Sequence, residues 1–251
     1  MHAGFTTALV LGILALGAEG VRAADTTPTL AQSLAGEGRP EADRVRDAGR
    51  KPAEVVAFLG IEPGMTVIDL IAAGGYYTEV LSLAVGPTGT VYAQNSPFVL
   101  KMREGANDKA LTARLAGDRL ANVERRDREM SELTLPPSSM DAALTALNFH
   151  DIYNGRGPEA AQGFLAAVSR LLKPGGILGL IDHAGSPDGD DAKLHRIDED
   201  RVVAAVTEAG FEIDARSELL RNPDDDRSRS VFDPDIRGRT DRFVLRLRKP
   251  D

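Results

Sequence analysis

The chain has 251 residues, with 30 Lys plus Arg against 38 Asp plus Glu, a net charge of −8, 42% apolar residues and no cysteine. That length and apolar content suit one α/β unit with a full core, and the composition excludes a disordered chain, a collagen-like repeat and a disulfide framework. No cluster of Lys and Arg forms a phosphate-binding face, so nucleic acid is not an expected partner.

Phe5 to Ala18 is a run of 14 uncharged residues. A membrane helix needs about 20, so the run fits the core of a secretory signal, with small residues at Val21 and Ala23 placing cleavage after Ala23. The expected organisation is a signal peptide over residues 1–23, a flexible polar leader over 24–39 and a single domain over 40–251. Such a protein is periplasmic or secreted, without stable membrane insertion. An uncleaved N-terminal anchor or a cytoplasmic chain are the alternatives.

From Pro40 two helical segments come first, the second over Lys51–Leu59 with Val55, Val56, Phe58 and Leu59 apolar and Gly60 as its stop. Met65–Leu70 reads as a buried strand running into a Gly-rich turn, Tyr76–Val85 as a helix, Thr90–Gln94 as a strand, and Pro97–Gly117 as mostly helix. Asn122–Arg126 and Asp141–Leu147 are the third and fourth strands. The clearest helix follows Pro158, with Ala161, Phe164, Leu165, Val168, Leu171 and Leu172 on one stripe and Lys173 to Gly176 ending it. Ile177–Ile181 is a fifth strand and Asp198–Ala209 a helix. Phe211–Leu220 and Arg242–Leu247 are two strands with no helix between them, the arrangement of an antiparallel pair. The scheme predicts an α/β fold: a Rossmann-like, doubly wound, mostly parallel seven-stranded sheet with an antiparallel C-terminal strand.

Ligands of such sheets bind beyond the carboxyl ends of the strands, at the switch point beside the first strand. There Asp69 ends the strand, Gly74 and Gly75 let backbone pass close to a ligand, and the helix beginning at Tyr76 offers free amides. A dinucleotide fingerprint would need glycine at 71, 73 and 76, where the chain has Ile71, Ala73 and Tyr76, so NAD and FAD are not expected. His150 and His183 follow the fourth and fifth strands beside Asp151 and Asp182, with His195 in the next loop. A neutral imidazole near pKa 6.5 could act as base toward an oxygen nucleophile, which makes His150 first and His183 second candidate. These His–Asp pairs could equally cap loops. A metal on His150, His183 and a carboxylate is set aside, because neither HxH nor HExxH spacing occurs. The segment Arg221–Asp241 is too long for a passive connector; its mixed charges and Phe232 suit a lid over the sheet edge or a solvated loop of surface ion pairs.

RKPAEVVAFLGIEPGMTVIDL (50–70), GGYYTEVL (74–81), GTVYAQN (89–95), LNFHD (147–151), LLKPGGILGLIDH (171–183), HRIDEDRVVAAVTEAGF (195–211) and RNPDDDRSRSVFDPDIRGRTDRFVL (221–245) occur in this order. In them the chain resembles the class I S-adenosylmethionine-dependent methyltransferases, and among these a branch of predicted bacterial methyltransferases often carrying a signal peptide. The resemblance implies S-adenosylmethionine as cofactor and methyl transfer to a small-molecule acceptor. It further implies that Asp69, Ile71, Ala73, Gly74 and Gly75 hold the methionine part. Gln94 and Asn95, where the family usually has an acid, would meet the ribose, Asp127 the adenine amine, and Asn148 and Phe149 the sulfonium end. Ala73, in place of a second loop glycine, narrows backbone approach. An exported binding protein that keeps the fold without the chemistry is the alternative. Ala73→Gly and Asn95→Asp are expected to separate the two readings by raising cofactor affinity only in an ancestral-type site.

Overall fold

The computed structural model describes Met1, His2 and residues 28–251; the rest of the expected signal segment, and residues 24–27 of the leader, lie outside the described residues. Residues 28–39 are not a loose leader. They carry α1 (Leu30–Leu34), opened by a capping box between Thr29 and Gln32, and Leu34 is buried in the core. Two helices follow, α2 (Glu41–Arg50) and α3 (Pro52–Leu59). Pro52 bars Lys51 from the right-handed helical region, and Lys51 takes the left-handed one at φ 41°, which separates them.

From there strand and helix alternate: β1 (Thr66–Leu70), α4 (Tyr76–Val85), β2 (Thr90–Asn95), α5 (Pro97–Leu115), β3 (Val123–Asp127), β4 (Met140–Ala146), α6 (Phe149–Arg156), α7 (Pro158–Leu171), β5 (Leu172–His183), α8 (Asp191–Leu194), α9 (Glu199–Glu208), β6 (Glu212–Ser217) and β7 (Arg242–Arg248). The seven strands form one sheet in the order β3-β2-β1-β4-β5-β7-β6. β1 to β5 pair in parallel, and β7 runs antiparallel between β5 and β6. This is the fold expected from the sequence, the class I methyltransferase architecture.

Alternation along the strands divides the core. Val67, Val91, Leu144 and Val244 face α3 and α4, while Ile68, Leu70, Ala143, Leu178 and Leu245 face α7 and α9. Each fully buried aliphatic side chain contributes about 1.5–3 kcal/mol. Gly179 lets α3 close on the sheet, since a Cβ there would lie 2.6 Å from Leu59 Cδ1.

Three elements depart from the expectation. β5 begins at Leu172 rather than Ile177, because the Gly175 amide and the Gly176 carbonyl both bond Lys249 and draw the turn into the sheet. α5 is interrupted over Met102–Gly105, with Arg103, Glu104 and Gly105 in the left-handed region. α6 (Phe149–Arg156) stands where the sequence pattern announces no element, being short and only weakly amphipathic. Among the described residues no helix is long and apolar enough to cross a membrane.

Candidate functional site

A cleft of about 1660 Å³ opens beyond the carboxyl ends of β1, β2 and β4, at the switch point of the sheet. Its floor is the turn after β1, in which Ile71 (φ 55°), Ala73 (φ 50°) and Gly75 (φ 84°) are all left-handed. Gly75 is required there, because a Cβ would also lie 2.8 Å from Leu111 Cδ1. The non-glycine residues each cost about 1–2 kcal/mol in this region, and hydrogen bonds from β2 offset it. Ile71 N–H donates to Gln94 Oε1 (3.0 Å), Ala72 N–H to the Gln94 carbonyl (2.9 Å) and Ala73 N–H to Asn95 Oδ1 (2.8 Å), while Asn95 Nδ2 donates back to the Ala73 carbonyl (3.2 Å). Gln94 also reaches the Arg128 carbonyl and lines the cleft. Asn95 is fully buried and does not line it, so it holds the turn instead of meeting a ribose.

Asp69 sits at the base of the cleft, its carboxylate accepting from the Thr78 hydroxyl at 2.6 Å. Burial pushes its pKa up to about 7, against the opposing pull of Thr78, Arg114 and Arg50. Above the turn α2 is bound down by a buried ionic network. Arg114 pairs with Asp43 (2.6 Å) and with Glu79, and donates to the Gly74 carbonyl (3.0 Å). Asp47 takes Arg39 and the Tyr76 hydroxyl (2.6 Å). Tyr76 and Tyr77, in edge contact at 5.0 Å, are both in the core and on the cleft wall. The Arg50 guanidinium lies 4.4 Å from the Tyr76 ring centre and lines the cleft. Burial lowers its pKa. Sequence reasoning missed Arg50 as a site residue.

Other expected positions are redistributed. Ile71, Ala73, Gly74 and Asn148 line the cleft, and Asn148 Nδ2 ties the Ile71 carbonyl (3.3 Å) to β4. Phe149 is fully buried against Tyr153 and Phe164, a core residue. Asp127 pairs with Arg125 at 2.8 Å on a separate small pocket beside the start of α5; beyond β3, Glu129 and Met130 form the cleft wall.

Neither His150 nor His183 lines the cleft. His150, in the first turn of α6, donates its backbone N–H (2.8 Å) and Nδ1–H (2.7 Å) to the two oxygens of the buried Asp182. Burial disfavours its imidazolium, but Asp182, Asp151 and Asp191 outweigh burial and raise its pKa. His183 shares a hydrogen bond with Thr240 (2.8 Å); burial, with Arg242 and His150 nearby, holds it well below the ordinary histidine range and so neutral. His195, left-handed at the end of α8, donates through Nδ1 to Asp151 at 3.0 Å and packs edge-on against Phe232 at 4.8 Å.

Phe232 belongs to the segment between β6 and β7, which is not a lid over the cleft but a largely solvent-facing loop pinned at a few buried residues. No residue of Arg221–Asp241 lines the cleft. The segment is anchored by the fully buried Arg196, bidentate to Asp225 (2.9 and 3.0 Å), and Asp225 in turn accepts the Asp241 amide at 2.6 Å. Its Phe232 packs on His195 and its Thr240 bonds His183.

No family model matches the chain. Among curated proteins it is similar to the ubiquinone/menaquinone biosynthesis C-methyltransferase UbiE of Shewanella pealeana, 26% identical over 181 residues, covering 69% of this chain and 66% of that one. Among solved structures it resembles a SAM-dependent methyltransferase from Aquifex aeolicus, with TM-score 0.62, 22% identity, and coverage of 83% of this chain and 95% of that chain. It also resembles the [4+2]-cyclase SpnF, with TM-score 0.61, 16% identity, and coverage of 88% of this chain and 91% of that chain. The chain therefore has the class I methyltransferase fold and is similar in sequence to a methyltransferase.

Proposed function

We propose that the protein transfers the methyl group of S-adenosylmethionine to a small-molecule acceptor. The observation that carries this reading is the turn from Asp69 to Gly75, held open by Gln94 and Asn95 at the switch point, with a buried carboxylate at its base. The residues present fit the cofactor. A buried carboxylate with a pKa of about 7, half ionised at pH 7, suits a ligand that brings positive charge, and Arg50 suits a carboxylate. At about 1660 Å³ the cleft exceeds the roughly 300–1,000 Å³ typical of a single ligand site, which leaves room for an acceptor.

S-adenosylmethionine supplies a sulfonium-borne methyl group. Asp69, Arg50 and the first-turn amides of α4 would hold its amino-acid end, and Gln94, Glu129 and Met130 its nucleoside end. Transfer then rests on alignment of the acceptor and exclusion of water by the walls of the cleft. The imidazoles of His150 and His183 stand outside those walls, so the base expected of them is not part of this reading.

Calorimetry with S-adenosylmethionine and S-adenosylhomocysteine on the purified protein tests it. Micromolar affinity, about −8 kcal/mol, is expected. No heat at millimolar ligand refutes cofactor binding and favours a fold-retaining binding protein, a role for which the cyclase SpnF shows only that this fold is not tied to one name.

A further inference from the structure

We propose that His150, Asp151 and His195 form a binding site for a divalent transition-metal ion of the zinc type, beside the cleft. One ligand atom from each residue lies within 4.8 Å of the others. Asp151 Oδ1 is 3.4 Å from His150 Nε2 and 3.0 Å from His195 Nδ1. Ligands held tetrahedrally at metal bonds of about 2.0–2.1 Å stand about 3.3–3.5 Å apart, so two edges of the coordination figure already match to within a few tenths of an ångström.

The surroundings are those of a ligand set. A metal-binding imidazole normally donates its other nitrogen to a carboxylate, which fixes ring and tautomer. His150 does this toward Asp182, whose two oxygens also take the backbone amides of His150 and His183 and so have no free orientation. Nε2 is thereby the nitrogen left to bind. Asp182 is fully buried, and Asp191 adds negative charge nearby. The left-handed backbone of His195 brings its ring over Asp151, and Phe232 packs against the outer side of that ring.

Imidazole and carboxylate together suit zinc and its neighbours in the first transition row. The site needs no HxH repeat, because α6 supplies two adjacent residues and the end of α8 the third. A neutral His195 ring that binds through Nδ1 carries its one proton on Nε2, and the metal takes the place of the hydrogen bond to Asp151. Three protein ligands leave a coordination position open. Of the three residues Asp151 is the one that also lines the cleft, so an oxygen or nitrogen of an acceptor held there could reach the open position. In this last respect the inference rests on the methyl-transfer reading; the metal site itself does not.

The test is titration of the chelator-treated, tag-free full chain with Co2+ and Zn2+, read by calorimetry and by the visible spectrum of the cobalt form. One ion per chain at micromolar affinity, with the intense absorption of low-coordinate cobalt, is expected. His195→Ala and Asp151→Asn, both at partly or largely exposed side chains, should each weaken binding at least about tenfold with the circular dichroism unchanged. Absence of binding, or binding indifferent to both substitutions, overturns the proposal. S-adenosylmethionine titrated separately into the same preparations distinguishes the two failures: cofactor binding without metal binding sinks this site alone, and the reverse sinks the methyl-transfer reading alone.

Discussion

Asn95 shows how a residue can be found by sequence and misjudged in role. Its place at the end of β2 suggested a weakened ribose ligand, and by that logic Asn95→Asp should improve the site. In the structure its amide is spent on both faces of Ala73, accepting from the nitrogen and donating to the carbonyl. An aspartate keeps the first bond and sets an oxygen against the Ala73 carbonyl in place of the second. Asn95→Asp is therefore expected to weaken S-adenosylmethionine binding by roughly 5–10-fold, corresponding to about 1–1.5 kcal/mol for one lost buried hydrogen bond. An increase in affinity would show that the side chain turns to the ribose. The distinction was not legible because it depends on which way one side chain points.

Asp69 carries a prediction about protons. Its folded-state pKa of about 7 lies above the ordinary 3.8, so the unliganded protein is stabilised by this group at low pH. That contribution is fully present below about pH 4 and is lost as pH rises through 7. A ligand that places positive charge beside the carboxylate favours its ionised form, so binding at pH 7 releases up to about half a proton. Calorimetry in buffers of different ionisation enthalpy measures the release, and it should fade by pH 9 and vanish in Asp69→Asn. Proton uptake on binding would place the ligand's positive charge elsewhere.

Among the elements, the β6–β7 segment is settled by contacts its own sequence does not announce. Its length and mixed charges were visible, and they suggested either a mover or a solvated loop. What decides the matter is Arg196, which stands in another part of the chain and is fully buried against Asp225. Asp225→Ala leaves that guanidinium buried and without its carboxylate, and should lower stability by about 3–5 kcal/mol, read from the denaturant midpoint. Protease cleavage between Arg221 and Asp241 should accelerate alongside it. A variant with unchanged midpoint would mean that the segment is held by its other contacts. α6 had the opposite difficulty. Eight residues with a weak apolar stripe give little periodic signal, yet this helix places Asn148, His150 and Asp151.

At the scale of the molecule the fold was almost wholly legible. Short apolar strands ended by Gly-rich turns, strong stripes on α7 and α9, and two last strands without a helix between them lead to one topology. The cleft was legible as a place, because the switch point follows from strand order. Its detailed lining was not. Arg50 comes from a helix before the first strand, and His195 meets His150 only through packing that pattern and spacing do not encode.

The position of β7 bears on how the molecule is made. Residues 242–248 come last of the strands in the chain, yet they lie inside the sheet and pair with β5 along its length from Ile177 to His183. Until they emerge, β5 has a bare edge and β6 has no partner, so the histidine cluster cannot receive Phe232 and Thr240 from the segment that β7 anchors. During synthesis the part of the sheet from β1 to β4 can assemble early, while the histidine cluster beside β5 is enclosed only once β7 has docked. Enclosure of the cluster is thus tied to the docking of β7, and a nascent chain holds an open, aggregation-prone strand until β7 arrives.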